Sequence, residues 1–269
     1  MQDMELRFAG NVPSNYERYM VPLLFRPYAE ELARRAKTLQ PRRILETAAG
    51  TGVVTGALAE ALSDAEIIAT DLNQPMPDVA SARVSSHNVT FRQADALDLP
   101  FGDSEFDLIV CQFGVMFFPD KVQGAVEARR VLRDGGHYLF AVWDRIDRNG
   151  LSDIANQTLH DIYPDNPPKF MESGPFSYFE PEWIERDFRA GGFTQIEIET
   201  VKLTSRAPSA EEAARGYVYG SPMGVELADY GGEDALNRVF ERVRDDARQF
   251  EGPNGFVAPM SAHIVTATK

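Results

Sequence analysis

The chain has 269 residues, 43% of them apolar and 25% charged, enough to bury a core without a metal or disulfide staple. Lysine and arginine number 27 against 41 acidic residues, a formal charge of −14, which argues against a nucleic-acid partner because phosphate binding calls for a basic face. The single cysteine, Cys111, excludes an intrachain disulfide, and its apolar surroundings (Leu108, Ile109, Val110) point to a small core residue rather than a nucleophile. No run approaches membrane-spanning length, and the acidic start Met1-Gln2-Asp3-Met4-Glu5 lacks a secretory pattern. The expectation is a cytoplasmic protein without a membrane span.

In chain order, Met20, Leu24, Tyr28 and Leu32 recur every four residues, a helical stripe. Pro22 and Pro27 interrupt it, which predicts a short helix, a break and a longer helix ending near Leu39. From 42 to 144 strand and helix alternate. Ile44-Leu45 is a short buried strand, and Val54, Leu58 and Leu62 mark a helix. A strand over 67–70, a helix near 78–86 and strands over 89–93 and 106–111 come next. Val122, Ala125, Val126, Arg129 and Leu132 lie on a helix entered through Pro119; Asp134-Gly135-Gly136 then turns into a strand over 137–143. Strands spaced by helices imply βαβ units, a mainly parallel sheet and right-handed crossovers with helices on both faces. Over 145–180 the prolines Pro164, Pro167, Pro168 and Pro175 predict irregular chain. A helix over 181–190, a half-exposed strand carrying Ile196, Ile198 and Val201, two helices over 209–251 and a last strand over 262–268 complete the pattern.

The loop after the first strand carries Gly50 and Gly52, where the backbone must turn tightly and approach a ligand. The helix after it offers free N–H groups, and such a βα turn is the usual nucleotide site of an open α/β sheet. A dinucleotide loop wants a third glycine at position 55, which is Thr55 here. Glu46, four residues before Gly50, would repel a pyrophosphate but suit a sulfonium cofactor with an ammonium group. Asp71, 21 residues past Gly50 at the end of the second strand, is placed to accept ribose hydroxyls, or else caps its own turn. Asp95, at the end of the third strand, can accept from an adenine amine. Three successive strands thus end near an acid.

With these residues in view, the chain resembles a class I S-adenosylmethionine-dependent methyltransferase of the broad group that includes the ubiquinone and menaquinone C-methyltransferases. The matching segments are Ile44-Leu45-Glu46-Thr47-Ala48-Ala49-Gly50-Thr51-Gly52, Thr70-Asp71-Leu72-Asn73, Gln93-Ala94-Asp95-Ala96, residues 107–118, and Val131-Leu132-Arg133-Asp134-Gly135-Gly136. The resemblance implies S-adenosylmethionine as cofactor, S-adenosylhomocysteine as product and no metal. It implies that Glu46 and the backbone of 48–52 hold the amino-acid end, that Asp71 binds the ribose, and that Leu72 and Met76 flank the adenine. Asp95 and Ala96 would meet the adenine edge, Gln112 and Phe113 would lie near the methionine portion, and Thr47, Asn73, Ala94 and Gly114 would stand beside them. The implied fold is α/β: a Rossmann-like, seven-stranded, mainly parallel sheet with helices on both faces, one antiparallel edge strand, and a helical or irregular insertion after strand 5. Residues 1–40 would be an N-terminal lid segment and 41–144 the cofactor-binding core. Residues 145–269 would supply a substrate cap and the closing elements of the same domain.

Two positions depart from the group. Ala48 stands where its first glycine is usual, and its methyl fits if φ is negative; Asp134 stands where proline is common. No residue announces itself as a general base. His137 and His263 lie in strands and His87 in a loop, which leaves His160 in the insertion as the one catalytic candidate. Tyr16, Tyr19, Phe117, Trp143, Tyr178 and Trp183 are candidate linings for a small, partly apolar acceptor, although each alone can equally fill the core. Two other functions stay open: a nicotinamide-dependent oxidoreductase on a related sheet, and a catalytically silent cofactor-binding protein. Neither the acceptor nor the oligomeric state is encoded in a recognisable motif.

Overall fold

The computed structural model describes residues 16–269. The opening stretch Met1-Gln2-Asp3-Met4-Glu5 and the rest of the first 15 residues of the expected N-terminal segment lie outside the described residues. Tyr16–Phe25 winds as a wide, π-type helix with Pro22 inside, and α1 (Arg26–Leu39) continues from it with Pro27 in its first turn; the break expected at these prolines is absent, and the helix changes from π to α type there instead. Tyr28, Ala29, Leu32, Ala33 and Ala36 form its buried stripe.

The strands of the sheet are β1 (Arg43–Glu46), β2 (Glu66–Asp71), β3 (Val89–Gln93), β4 (Phe106–Gln112), β5 (Leu132–Trp143), β6 (Gln195–Ala207), the two-residue β7 (Glu251–Gly252) and β8 (Gly255–Thr268). Their order is β3-β2-β1-β4-β5-β8-β6, with β7 paired to β8. The pairs β1/β2, β2/β3, β1/β4 and β4/β5 are parallel, and β8 runs antiparallel to β5. The antiparallel strand lies between β5 and β6, which takes the outer place. Between them run α2 (Val53–Ala61), α3 (Pro75–Arg83), α4 (Lys121–Val131), α5 (Gly150–Ile162), α6 (Phe170–Ser173), α7 (Pro181–Ala190), α8 (Ala210–Gly220) and α9 (Pro222–Ala247). Asp120 caps α4 by accepting the N–H of Gln123, and Ser209 caps α8 through Glu212.

The chain divides into two compact units. One comprises the chain to Pro27, Asp144–Ser177 and Lys202–Ser261; the other comprises Tyr28–Trp143, Tyr178–Val201 and Ala262–Lys269. The second unit holds the parallel strands, and Tyr138, Phe140, Phe188 and Phe193 pack together in its core, with the Phe140 and Phe188 rings stacked at 4.5 Å. In the first unit α9 breaks at Gly231-Gly232, where φ is 160° and 61°. The carboxylate of Glu226 accepts the N–H groups of Lys169 and Phe170 at 3.0 and 2.9 Å and fixes the start of α6.

The irregular chain expected over 145–180 begins instead with the 13-residue α5, whose buried face carries Leu151, Ile154, Ala155 and Leu159. The proline signal belongs only to the chain beyond that helix. Strand β5 starts five residues before the expected 137, since its register against β4 shifts between Phe106 and Leu108. Gly136 has no room for a side chain there: a Cβ would lie 2.9 Å from the Arg133 carbonyl oxygen and 3.0 Å from that of Asp107.

Candidate functional site

The parallel register aligns the ends of β1, β2, β3 and β4, and the strand order reverses between β1 and β4, the usual place of a ligand crevice in such sheets. After β1, Thr47 donates its N–H to the Val110 carbonyl at 3.0 Å and Ala49 donates to Thr70 at 2.9 Å, so the loop stays stitched to both neighbouring strands. Gly50 and Gly52 both have positive φ, 54° and 84°. They serve different needs. A Cβ on Gly52 would press on Ala80 at 3.0 Å and Val84 at 3.2 Å, whereas one on Gly50 would meet nothing within 4 Å. Gly52 lets α2 and α3 approach; Gly50 faces open space.

Ala48 does not have the negative φ expected of it. Its φ is 53°, a left-handed conformation that costs a residue with a side chain about 1–2 kcal/mol. Its methyl fits because the facing residue is Gly114: a Cβ there would lie 2.6 Å from that methyl and 2.7 Å from Cys111 Sγ. Phe113 beside it has φ of 53° as well. Strained backbone thus gathers where the loops after β1 and β4 meet, a concentration typical of ligand sites.

Glu46 is 1% exposed. Its Oε2 accepts the Thr55 hydroxyl at 2.6 Å, and among the described residues no ion pair reaches it. Burial raises its pKa from 4.5 to about 8, the Thr55 hydrogen bond opposing and the Asp71 charge adding to the rise. Asp71, 8% exposed, accepts the Gly50 N–H at 2.8 Å through Oδ2 and the Asn73 N–H at 3.0 Å through Oδ1. Burial raises its pKa also, against those backbone hydrogen bonds. The turn-capping alternative for Asp71 is therefore met, and the same carboxylate clamps the glycine loop.

Leu72 and Asn73 are half-buried, as is Met76 in the first turn of α3, whose N–H reaches the Asn73 carbonyl at 2.9 Å. The Ala94 N–H bonds the Asp71 carbonyl at 3.0 Å and carries the loop after β3 alongside; there Asp95 Oδ1 takes the Leu97 N–H at 2.8 Å, and Asp95 and Ala96 stay half-buried. Gln112 closes β4 opposite Ala141, and the Phe113 N–H bonds that residue's carbonyl at 2.9 Å. Thr51 Oγ1 is buried with no hydrogen-bond partner among the described residues. A zwitterionic, cationic-centred cofactor fits this set: a buried acid without a cation, an unpartnered hydroxyl and an open glycine.

The aromatic candidates divide. Trp143 is 5% exposed, its ring stacked on Phe113 at 3.8 Å with Tyr28 edge-on at 5.5 Å. Tyr178 is buried and donates to Asp187 Oδ2 at 3.0 Å. Phe117 is half-buried, and Trp183 is 40% exposed on α7. Tyr16 and Tyr19, both half-buried, belong to the first unit, where Tyr16 packs on Phe25 and Tyr19 against Gly216 of α8. His160 is in the first unit too, exposed on α5, with Nε2 2.9 Å from Glu172 Oε1. His137 and His263 bond within the sheet unit, to Thr268 and to Thr200 and the Phe179 carbonyl, as expected of strand histidines. Burial pushes the Cys111 thiol up to about 11, which leaves it inert. Two threonines of the site carry no motif of their own: Thr55, which stands where a dinucleotide loop wants a glycine, and Thr70, whose hydroxyl bonds the Glu46 carbonyl at 2.9 Å. The signal was present as hydroxyl side chains near Glu46 in helix and strand, but only packing shows where they point.

Residues 44–136 match the family model of a methyltransferase domain. A demethylmenaquinone methyltransferase of Deinococcus radiodurans is 36% identical over 113 residues, 41% of this chain; the chain spans 47% of that relative's length. Among solved structures, the YcgJ protein of Bacillus subtilis superposes with a TM-score of 0.57 at 21% identity, over 88% of this chain and 97% of that one. Phosphoethanolamine N-methyltransferase 2 of Haemonchus contortus, solved with phosphomonomethylethanolamine and S-adenosylhomocysteine, gives 0.60 at 18% identity, over 99% of this chain and 56% of that one. Identities this low show the fold alone. Among the described residues no helix is long and apolar enough to cross a membrane. The family match over the β1-to-β5 loops, on a sheet with that strand order, makes residues 44–136 a methyltransferase domain.

Proposed function

We propose that this chain transfers a methyl group from S-adenosylmethionine to a small, partly apolar acceptor and leaves S-adenosylhomocysteine. The observation that carries the reading is Glu46, a carboxyl 1% exposed and without a cation among the described residues, in a loop whose Gly50 opens onto free space. Such a group is costly to bury and is accounted for when a ligand brings the positive charge. When bound, the cofactor supplies a methyl already activated on a sulfonium centre. What the chain adds is placement. Glu46 with Thr47 and the backbone of 48–52 would hold the amino-acid end, and Asp71, fixed beforehand by the Gly50 and Asn73 N–H groups, would receive the ribose. Leu72, Asn73 and Met76 would border the adenine, Ala94, Asp95 and Ala96 its edge, and Gln112, Phe113 and Gly114 the methionine portion. Orientation of this kind lowers barriers by about 7–11 kcal/mol in favourable cases.

A base is needed only for an acceptor that must lose a proton. For that case His160 is the histidine to substitute. An apolar acceptor is supported by the relative from Deinococcus radiodurans, named as a demethylmenaquinone methyltransferase. In the sheet unit Phe117 and Trp183 keep ring surface for it, while Trp143 and Tyr178 are committed to packing.

Calorimetry with S-adenosylhomocysteine tests the cofactor reading. The unmutated chain binds, and Asp71→Ala weakens binding by about tenfold to a hundredfold, the worth of hydrogen bonds to a charged group. A chain that takes up no S-adenosylhomocysteine ends the proposal. Labelling of cell extract with radioactive S-adenosylmethionine then separates an enzyme from a silent binder.

A further inference from the structure

We infer that Thr55 is a positioning residue: its hydroxyl holds the buried Glu46 carboxyl in the rotamer and ionisation state that receive a cationic amino-acid end, and capture of that end releases a proton. The inference rests on the functional reading above. Thr55 is fully buried in the first turn of α2, and its Oγ1 lies 2.6 Å from Glu46 Oε2. A threonine in a helix can turn its hydroxyl back on the preceding turn; here it is spent on the acid instead. Thr70 of β2 fixes the same residue's main chain through its carbonyl at 2.9 Å, so threonines from a helix and a strand hold Glu46 at both ends.

The surroundings explain why a proton is involved. Asp71 faces Glu46 from β2 and adds negative charge. From β4 comes Cys111, and behind it Tyr138 of β5; burial keeps both uncharged by raising their pKa values. No cation stands against the carboxyl among the described residues. At neutral pH without ligand the group therefore keeps its proton. An incoming ammonium group replaces it: the carboxylic acid loses H⁺ to solvent and the carboxylate pairs with the ammonium. The Thr55 hydroxyl lowers the cost of that ionisation. A valine would fill the same volume without the donor.

The test begins on the ligand-free chain, with ¹³C-labelled glutamate carboxyls and the Glu46 resonance identified by its loss in Glu46→Gln. The expected midpoint is near pH 8 in the unmutated chain and in Thr55→Ser. In Thr55→Val, and in Thr55→Ala should the valine variant not fold, the proton is held roughly tenfold more tightly. Calorimetry with S-adenosylhomocysteine in buffers of different ionisation heat then shows proton release on binding. The hydroxyl-free variants bind about tenfold more weakly at pH 7 and recover toward the unmutated affinity as pH rises. A Glu46 midpoint unmoved by loss of the hydroxyl, or an affinity loss equal at every pH, overturns the inference. Absence of S-adenosylhomocysteine binding with the midpoint still moved overturns the cofactor reading and upholds the control of Glu46 by Thr55.

Discussion

Along the carboxyl edge of the sheet, Glu46 and Asp71 are 1% and 8% exposed and bond to Thr55 and to the backbone of Gly50 and Asn73. On α9, in the other unit, Arg242 pairs with Asp246 at 2.6 Å and Asp161 at 3.6 Å, and Arg244 with Glu241 and Asp245, mostly in open solvent. The helix keeps its charges where water screens them, and such pairs add little to stability. The sheet edge holds acids that folding alone does not favour. A buried acid without a counter-charge lowers stability above its unfolded pKa, so its presence points to what binds there rather than to what holds the fold.

The largest way to break that contrast is Glu46→Gln. Below about pH 4.5 the carboxyl is protonated in the folded and the unfolded chain alike. Between 4.5 and about 8 the folded chain keeps a proton that the unfolded chain has lost, so stability falls as pH rises through this window and the loss is complete above it. At about 1.4 kcal/mol per pKa unit, this amounts to a few kcal/mol. Urea unfolding at pH 5 and pH 9 should show Glu46→Gln gaining on the unmutated ligand-free chain at the higher pH. Parallel stabilities at both pH values would show that Glu46 is not buried as a strained acid.

Gly114→Ala comes next. Its new methyl meets Ala48 and Cys111 Sγ at 2.6 and 2.7 Å, and thermal unfolding should record a loss of about 1–3 kcal/mol. Ala48→Gly relieves the left-handed alanine and should stabilise by about 1 kcal/mol, less the flexibility it adds to the unfolded chain. Combined, the two changes should cost less than the sum of their separate effects, because Ala48→Gly removes the methyl that the new one meets; simple additivity would show that the methyls do not meet. Smallest of all, Arg242→Ala on α9 should barely move the urea midpoint, and whatever shift it causes should vanish at high salt.

Much of this was legible from residues close together in the chain. The apolar run of β4, the acids at the ends of β1 and β2, and the glycines of the first loop are local signals of buried strand, ligand edge and tight turn. The helix α5 was hidden because the four prolines after it dominated the reading of its segment. The early start of β5 was hidden because pairing with a distant strand sets where a strand begins, and that of β8 because its first residues pair with the two-residue β7. The break at Gly231-Gly232 carried a visible glycine pair inside an otherwise helical pattern.

The alternation of strand and helix, the parallel sheet and the chemistry of its edge follow from periodicity, turn residues and charge, which act over a few positions. Tertiary structure alone decided three things. Ala48 is left-handed because Gly114, far along the chain, leaves room for its methyl. Asp71 both caps its turn and clamps the glycine loop because β1 and β2 pair in register. The Glu46 pKa is raised because packing, which no stretch of sequence encodes locally, removes its water and leaves Thr55 as its partner.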